Sequence, residues 1–370
     1  MASTESRGLH HNPQSESANA HSPASKPTIE YGRQVPKPED ELDYTVLYPP
    51  RVMAGIQPIQ RVHLGQYFGA IEQQINLHHE YPGQTFYSIA DYHSLTRNPE
   101  PQAVRQGTLE LATTYLALGL DPSKATLYRQ SDVPEVIELA WVLSCITTVS
   151  ELEQLPTYKD KATDAINSSL GLLSYPVLMA ADILALRGTL IPVGKDQLPN
   201  VKKAREIARR FNKRYKIDLF PQPYHQHATV DTVLGIDGRK MSGSYHNIIG
   251  LFEPFDELKE KVIRIRTDSK GQYERKNPNE CTVFHLYSLV APAEKIEDLR
   301  RKYELGAMGY EEAKRELILH IQEYFAEYQE RYRKLKAVPD FVEDVLREGF
   351  MQASEEAAET LEEVRTLIGL

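Results

Sequence analysis

Two cysteines in 370 residues, Cys145 and Cys281, are too few for a disulfide framework and offer no metal-binding spacing. Such sparse cysteine fits a reducing, cytoplasmic setting. Long hydrophobic runs are missing as well. The most apolar stretch, residues 176–186, is too short for a bilayer and is interrupted by Asp182. Residues 1–45 lack both the apolar core of a signal peptide and the arginine-rich, acid-poor pattern of a transit peptide. They are Ser, His, Pro, Asn, Lys and Glu with almost no apolar periodicity, which predicts a disordered N-terminal extension. The histidines include the adjacent pairs His10-His11 and His78-His79, which lack the i, i+4 spacing of a helical metal site, so no metal site is expected. A basic excess is missing too. The formal net charge of −9 excludes a protein that is basic all over, yet leaves nucleic acid open, because local charge decides that. Residues 201–220 carry eight basic side chains against two acidic, and 259–276 carry seven against three, so basic stripes are present despite the sum. Taken alone, each stripe reads as a solvated helix face. The acid is concentrated in residues 340–370.

What remains is an ordinary globular composition, 41% hydrophobic and 26% charged, long enough for two domains plus a tail. From residue 44 short extended runs appear, at 44–48 and 51–54. Strands are expected at 85–90, 126–129 and 189–193, and helices at 67–77, 102–118, 135–144, 176–186 and 200–212. Strands alternating with helices imply a parallel sheet covered on both faces, a Rossmann-like α/β domain over residues 46–253. Beyond about residue 254 only helical patterns follow, at 255–265, 281–289, 293–303, 310–332, 340–348 and 354–367. The last of these has Ser354 as N-cap and acidic residues in its first turn. An all-helical domain over 254–370 is therefore expected. No internal repeat is seen.

Two motifs carry the chemistry. Gly55-Ile56-Gln57-Pro58 followed by His63-Leu64-Gly65-Gln66 reads as a glycine turn with polar donors at a helix start, a place suited to phosphate. Lys240-Met241-Ser242-Gly243-Ser244 puts a lysine and two hydroxyls on a glycine-containing loop, a second set of phosphate donors. Two phosphate-handling elements from distant parts of one chain point to a nucleotide held between them, and so to chemistry on ATP. Further polar groups fall at expected strand ends, where α/β proteins bind ligands: Gly55 to Gln57, Asp91 to His93, and Gly194 to Gln197. Asp182 lies within an apolar helix and needs a partner there. A structural salt bridge or hydrogen bond is one reading; acceptance of a ligand N–H at the bottom of an apolar pocket is the other.

Taken together, these segments resemble the class I aminoacyl-tRNA synthetases, and most closely the tryptophanyl branch. Gly55 to Pro58 matches the family's opening turn, and His63-Leu64-Gly65-Gln66 is similar to its His-Ile-Gly-His signature. Asp91-Tyr92-His93-Ser94-Leu95-Thr96 resembles Asp-x-His-Ala-Ile-Thr, and Tyr158-Lys159-Asp160-Lys161 resembles a mobile lysine loop. Tyr175 to Leu184 matches the specificity helix. Pro192-Val193-Gly194-Lys195-Asp196-Gln197 and Lys240 to Ser244 resemble Pro-Val-Gly-Glu-Asp-Gln and Lys-Met-Ser-Lys-Ser. The resemblance runs from about Val52 to the C-terminus. Four positions depart from the pattern: Gly243 replaces the second loop lysine, Lys195 replaces an acid, Ile59-Gln60 replaces Ser-Gly, and Tyr245-His246 replaces a pair containing Asp.

The resemblance implies a tryptophan–tRNA ligase that forms an adenylate from ATP and tryptophan and passes the amino acid to tRNA(Trp). By the same resemblance Lys240, Ser242, Ser244, His63 and Lys161 are catalytic, with Mg²⁺ neutralising phosphate charge. Gln57, Pro58, Ile59, Gly65, Gln66, Gly194, Lys195, Asp196, Met241 and Gly243 would hold ATP. Asp182, Tyr175, Met179, Val193, Gln197 and His93 would hold tryptophan, Asp182 accepting the indole N–H. A homodimer is implied, with the apolar helix at 138–148 a candidate interface, and no membrane partner. The helical domain would bind the tRNA and its anticodon. A reading from another class is a synthetase-like sensor that binds tryptophan or tRNA without charging it, and a third changes the substrate to tyrosine.

Overall fold

The computed structural model describes residues 49–58, 61–161, 169–227, 230 and 232–370. The extension over 1–45, the extended run at 44–48 and Ile59 lie outside the described residues. In chain order β1 (Val52–Ile56) leads to a helix made of α1 (Leu64–Gln66), a π-helical turn (Tyr67–Ile71) and α2 (Glu72–Glu80). Next come β2 (Thr85–Ile89), α3 (Asp91–Ser94), α4 (Pro101–Ala117) and β3 (Thr126–Arg129). Four helices, α5 (Pro134–Ser144), α6 (Val149–Glu153), α7 (Pro156–Lys161) and α8 (Leu170–Ala185), then lead to β4 (Leu190–Val193). After α9 (Leu198–Tyr215) and β5 (Tyr224–His227), the described residues beyond 254 form α10 (Phe255–Ile263), α11 (Thr282–Val290), α12 (Ala293–Leu305), α13 (Tyr310–Lys336) and α14 (Pro339–Ile368).

The five strands form one parallel sheet in the order β3-β2-β1-β4-β5. Val52 pairs with Thr85 on one side and Leu190 on the other, so β1 sits at the centre. Side chains alternate between the faces, as a two-residue period requires. Val52, Ala54, Tyr87 and Leu127 join a core with α2, α4, α11 and α13, while Met53, Phe86, Tyr128 and Ile191 join one with α5, α8, α9 and α14. All five residues of β2 are buried, as expected of a parallel strand covered on both faces. The chain order reverses between β1 and β4. A crevice opens there at the carboxyl ends of the strands, the place where such sheets bind ligands.

Three expectations are corrected. The specificity helix starts at Leu170 rather than Pro176: Ser169 Oγ caps it by accepting from Leu172 N at 3.1 Å, and Pro176 is carried inside it. The strand Tyr224–His227 was not foreseen, because Tyr-His-Gln-His on the sheet edge has no apolar alternation. The two helices expected at 340–348 and 354–367 are one helix of 30 residues. Gly349, in the expected gap, does not break it. A Cβ there would lie 2.0 Å from Leu127 O, so the missing side chain lets α14 pack directly on the β3 backbone. Ser354 is no N-cap; its Oγ donates to Glu135 Oε1 at 3.1 Å.

The basic stripe on α9 is partly tied down within the fold. Arg210 forms a two-nitrogen clamp on Glu151 at 2.7 and 2.8 Å, Lys203 pairs with Glu206 at 2.5 Å, and Arg205 Nε donates to Pro223 O at 2.8 Å. The Arg210 guanidinium is the largest cause holding the Glu151 carboxyl down at about 2.

Candidate active site

The two motifs that sequence places far apart are in contact. Gly65 N–H points at Met241 Sδ, 3.3 Å away and 176 residues along the chain. Leu64 N donates to Ile249 O at 2.9 Å and Leu251 N to Val62 O at 3.1 Å, clipping the histidine turn to the segment that follows the lysine loop. Both motifs line one cavity of ≈ 540 Å³ at the strand ends. Of the residues singled out from sequence, His63, Gln57, Gly65, Gln66, Gly194, Asp196, Lys240, Met241, Ser242 and Gly243 line it, with Asp182, Tyr175, Met179, Val193, Gln197 and His93. Pro58 lines a neighbouring cavity of ≈ 700 Å³ instead. Lys195 and Ser244 are exposed and absent from the lining. Lys161 ends α7, and its side chain, like Ile59, lies outside the described residues.

The floor of the cavity is a buried carboxylate. Asp182 sits on α8 and is 4% exposed. Gln130 Nε2 donates to its two oxygens at 2.8 and 2.9 Å, and His93 Nε2 lies 2.9 Å from Oδ2. Among the described residues Oδ1 thus has a single partner, and a carboxylate oxygen has capacity for more. Burial of an aspartate in an apolar helix is possible here because the ends of β2 and β3 bring donors to it. His93 is fixed in turn: Gln57 Nε2 donates to its carbonyl at 3.3 Å, and its ring meets Tyr175 edge-on at 6.1 Å. Asp91, at the end of β2, accepts from Ser131 N and Tyr92 N, each at 2.9 Å, which joins the β2 and β3 loops. Burial pushes the Asp91 carboxyl up and the hydrogen bonds from Ser131 and Tyr92 only partly offset it.

From the floor a polar chain leads to the mouth. Asn200 Nδ2 donates to Tyr175 Oη at 3.2 Å and to Gln197 Oε1 at 2.9 Å. Gln197 Nε2 donates to Asp196 Oδ2 at 3.0 Å, and Lys240 Nζ reaches Asp196 Oδ1 at 3.3 Å. Burial raises the Asp196 carboxyl, but the Gln197 hydrogen bond and the Lys240 charge outweigh it and hold the group below its ordinary value. His63, 5% exposed, is pushed down to about 4 by burial, so it stands neutral near pH 7. Its N–H backbone group donates to Gln66 Oε1 at 3.3 Å across the turn.

Sequence reading missed three polar residues that hold this arrangement. Gln130 orients Asp182, Asn200 links Tyr175 to Gln197, and Asn247 braces the lysine loop. Gln130 follows directly on β3, and position at a strand end was the one signal that could have found it. Among the described residues no group of three or more His, Cys, Asp or Glu could hold a metal ion.

Comparison with known proteins agrees with this geometry. The family described as tRNA synthetases class I (W and Y) matches residues 47–326. The chain is 43% identical over 322 residues to the tryptophan–tRNA ligase of Fusobacterium nucleatum, covering 86% of this chain and 98% of that protein. It is 40% identical over 321 residues to the tryptophan–tRNA ligase of Rhodopirellula baltica, covering 86% and 99%. Among solved structures, the tryptophanyl-tRNA synthetase of Campylobacter jejuni in complex with ADP and tryptophan superimposes with a TM-score of 0.79 at 37% identity, covering 86% of this chain and 100% of that one. Matched along nearly the full length of such relatives, the chain belongs to the tryptophanyl-tRNA synthetase family of the class I tRNA synthetases.

Proposed function

We propose that the chain is a tryptophan–tRNA ligase, and that one cavity performs its first half-reaction. The observation that carries this reading is the buried Asp182 carboxylate at the floor, with Lys240 and Asp196 at the mouth. An acceptor with spare capacity in an apolar pocket suits the indole N–H. A phenyl ring would leave the spare capacity of that desolvated acceptor unfilled, an arrangement that discriminates against a ring lacking the N–H. Tyr175, Met179 and Val193 wall the ring, while Gln197 and His93 orient the amino and carboxylate groups. ATP lies between the Gln57–Gln66 turn and the Lys240 loop. The tryptophan carboxylate oxygen attacks the α-phosphorus, the bond to pyrophosphate breaks, and the mixed anhydride forms. A terminal tRNA hydroxyl then takes the acyl group and releases AMP. Little covalent chemistry falls to the protein; positioning and charge stabilisation lower the barrier. Lys240 and Ser242 receive the departing charge, and Mg²⁺ carried on the triphosphate neutralises part of it.

Residues 46–253 are the catalytic part on this reading, and residues 254–370 contact the tRNA and its anticodon, with Arg266, Lys270 and Arg275 in the basic stretch. A second copy covers the α5 face, where Ile137 is 41% and Trp141 72% exposed. A cytoplasmic setting goes with this reading. Among the described residues no helix is long and apolar enough to cross a membrane. Binding without charging, or a tyrosine substrate, finds less support, since the relatives named above are tryptophan–tRNA ligases.

Tryptophan-dependent ATP–pyrophosphate exchange tests the reading. Exchange with tryptophan and none with tyrosine is expected. Lys240→Ala should lower its rate on the order of a hundredfold, as loss of one transition-state charge partner does, while tryptophan affinity stays within about twofold. A folded chain that binds tryptophan and shows no exchange refutes the ligase.

A further inference from the structure

The loop Lys240–Ser244 holds one lysine, with Gly243 between its two serines. Where that single charge stands therefore matters more than it would in a loop with two. Asn247 is the residue against which the loop is built. It is 1% exposed, and His246, at φ 51°, turns the chain inward just before it. Its side chain uses both ends. Oδ1 accepts from Ser242 N at 2.8 Å, and Nδ2 donates to Lys240 O at 3.1 Å and to Asp237 Oδ1 at 2.7 Å. Its own carbonyl accepts from Ile236 N at 3.1 Å. The two loop bonds flank Met241, whose N donates to Val233 O at 2.8 Å and whose Sδ meets Gly65 N. The segment before the loop is shaped to admit the amide: a Cβ on Gly235 would lie 2.3 Å from Asn247 Nδ2. Asp237 is anchored on its far side by Arg239, whose Nε donates to Asp237 Oδ2 at 2.7 Å.

We propose that Asn247, seated on Asp237, is a positioning residue that fixes the backbone on both sides of Met241 and thereby places the Lys240 ammonium for the departing phosphates. The inference rests on the ligase reading above. Asn247 lies outside the cavity lining. Its effect is thus on activation and not on tryptophan binding. An asparagine is required because the site asks for an acceptor and a donor from one buried group. Asp at 247 keeps the acceptor for Ser242 N, loses the donor to Lys240 O, and faces the Asp237 carboxylate, a like-charge contact.

The test compares the parent, Asn247→Ala, Asn247→Asp, and Asn247→Asp combined with Asp237→Asn. Three readouts are taken: exchange kinetics, tryptophan affinity by calorimetry, and amide hydrogen exchange over residues 236–247. Both single variants should slow exchange by roughly ten- to a hundredfold, the effect of a misplaced group near 1 Å, with tryptophan Kd within about twofold. Amide exchange at the loop should rise in both. The double variant swaps acid and amide and removes the like-charge contact between 237 and 247, while Lys240 O stays without its donor, so it should recover part of both losses. Unchanged kinetics in the single variants, an equal loss of tryptophan affinity, or a double variant no better than Asn247→Asp overturns the proposal. Hydrogen exchange reports on the latch whether or not the chain is a ligase. An inactive parent with the expected pattern of loop protection therefore counts against the enzyme reading alone, and one without that pattern counts against both. If Asn247→Ala fails to fold, the comparison of Asn247→Asp with the double variant decides.

Discussion

Gln130 is the residue whose replacement reports most directly on how the cavity floor works. It is fully buried, and among the described residues its amide nitrogen is the only donor that reaches both Asp182 oxygens. Methionine at this position keeps the length and most of the volume and removes the donor. The bond lost is charge-assisted, worth about 1.5–3 kcal/mol. The accompanying contact from His93 N to Gln130 Oε1, at 3.4 Å, is long and adds little. Asp182 is left with His93 alone in an apolar surround, so Gln130→Met should cost roughly 2–3 kcal/mol of stability. For a chain of this size that is on the order of 5 °C in Tm. The carboxylate also loses the contact that aims it. A misdirected acceptor should raise the KM for tryptophan about tenfold, the equivalent of about 1.4 kcal/mol, with the KM for ATP little changed. Gln130→Glu supplies a control: a second carboxyl against Asp182 should do more damage at pH 8 than at pH 6, because protonation restores a donor between them. Calorimetric unfolding and tryptophan-dependent exchange measure both effects. A stability loss under about 0.5 kcal/mol, the level of an ordinary surface change, together with an unmoved tryptophan KM, refutes the assignment of Gln130 to Asp182.

Two further outcomes follow from burial. Gly349→Ala gains up to about 1 kcal/mol of helix propensity but forces α14 away from the Leu127 carbonyl. Overpacking of this kind costs roughly 1–3 kcal/mol or more, so guanidinium denaturation should show a net loss; a midpoint equal to or above the parent's contradicts the close packing of α14 on β3. His63 has its folded-state pKa depressed to about 4 by burial, against 6.5 for the unfolded chain. Its contribution is therefore whole above pH 6.5 and is lost as pH falls toward 4, by up to about 3 kcal/mol in total. The parent should lose more stability than His63→Gln between pH 7.5 and pH 4.5, and parallel pH profiles count against a buried neutral imidazole.

The sheet was legible because burial on both faces leaves a plain mark. Thr85-Phe86-Tyr87-Ser88-Ile89 has no solvent side and reads as a strand without help, whereas Tyr224-His225-Gln226-His227 reads as nothing until β4 is seen beside it. Asp182 stood out for a similar reason, as a charge among apolar neighbours. Its partner did not. Gln130 is 52 residues away, and a glutamine after a strand is unremarkable until the fold brings it to a carboxylate. Asn247 was hidden in the same manner, since a hydrogen-bonded asparagine and a solvated one look alike in a sequence. Gly349 shows the opposite error. Glycine weakens a helix locally, yet here the close approach to β3 outweighs propensity, and one helix replaces the expected two.

The two ends of the cavity differ in a way that bears on the order of events. At the floor, the Asp182 and His93 side chains are 5% and 10% exposed, and Gln130 is sealed. Breaking a buried, hydrogen-bonded charge arrangement costs on the order of 3–5 kcal/mol, too much to repeat at each turnover without a reason. The floor is accordingly set before any ligand arrives, and on the proposed reading selection of the amino acid draws on a preformed acceptor. At the mouth, Lys240 and Asp196 are 56% and 57% exposed. An ion pair in that position is worth about 0–1 kcal/mol, so on the proposed reading the ammonium would leave Asp196 for a phosphate at almost no cost. What confines it is the backbone that carries it, tied to Asn247 on one side and to the Gly65 turn through Met241 on the other. On that reading selectivity rests on side chains that do not move, and activation on a side chain that moves on a backbone that does not. A substitution at the floor should alter which amino acid is taken, and one beneath the lysine loop how fast it is activated.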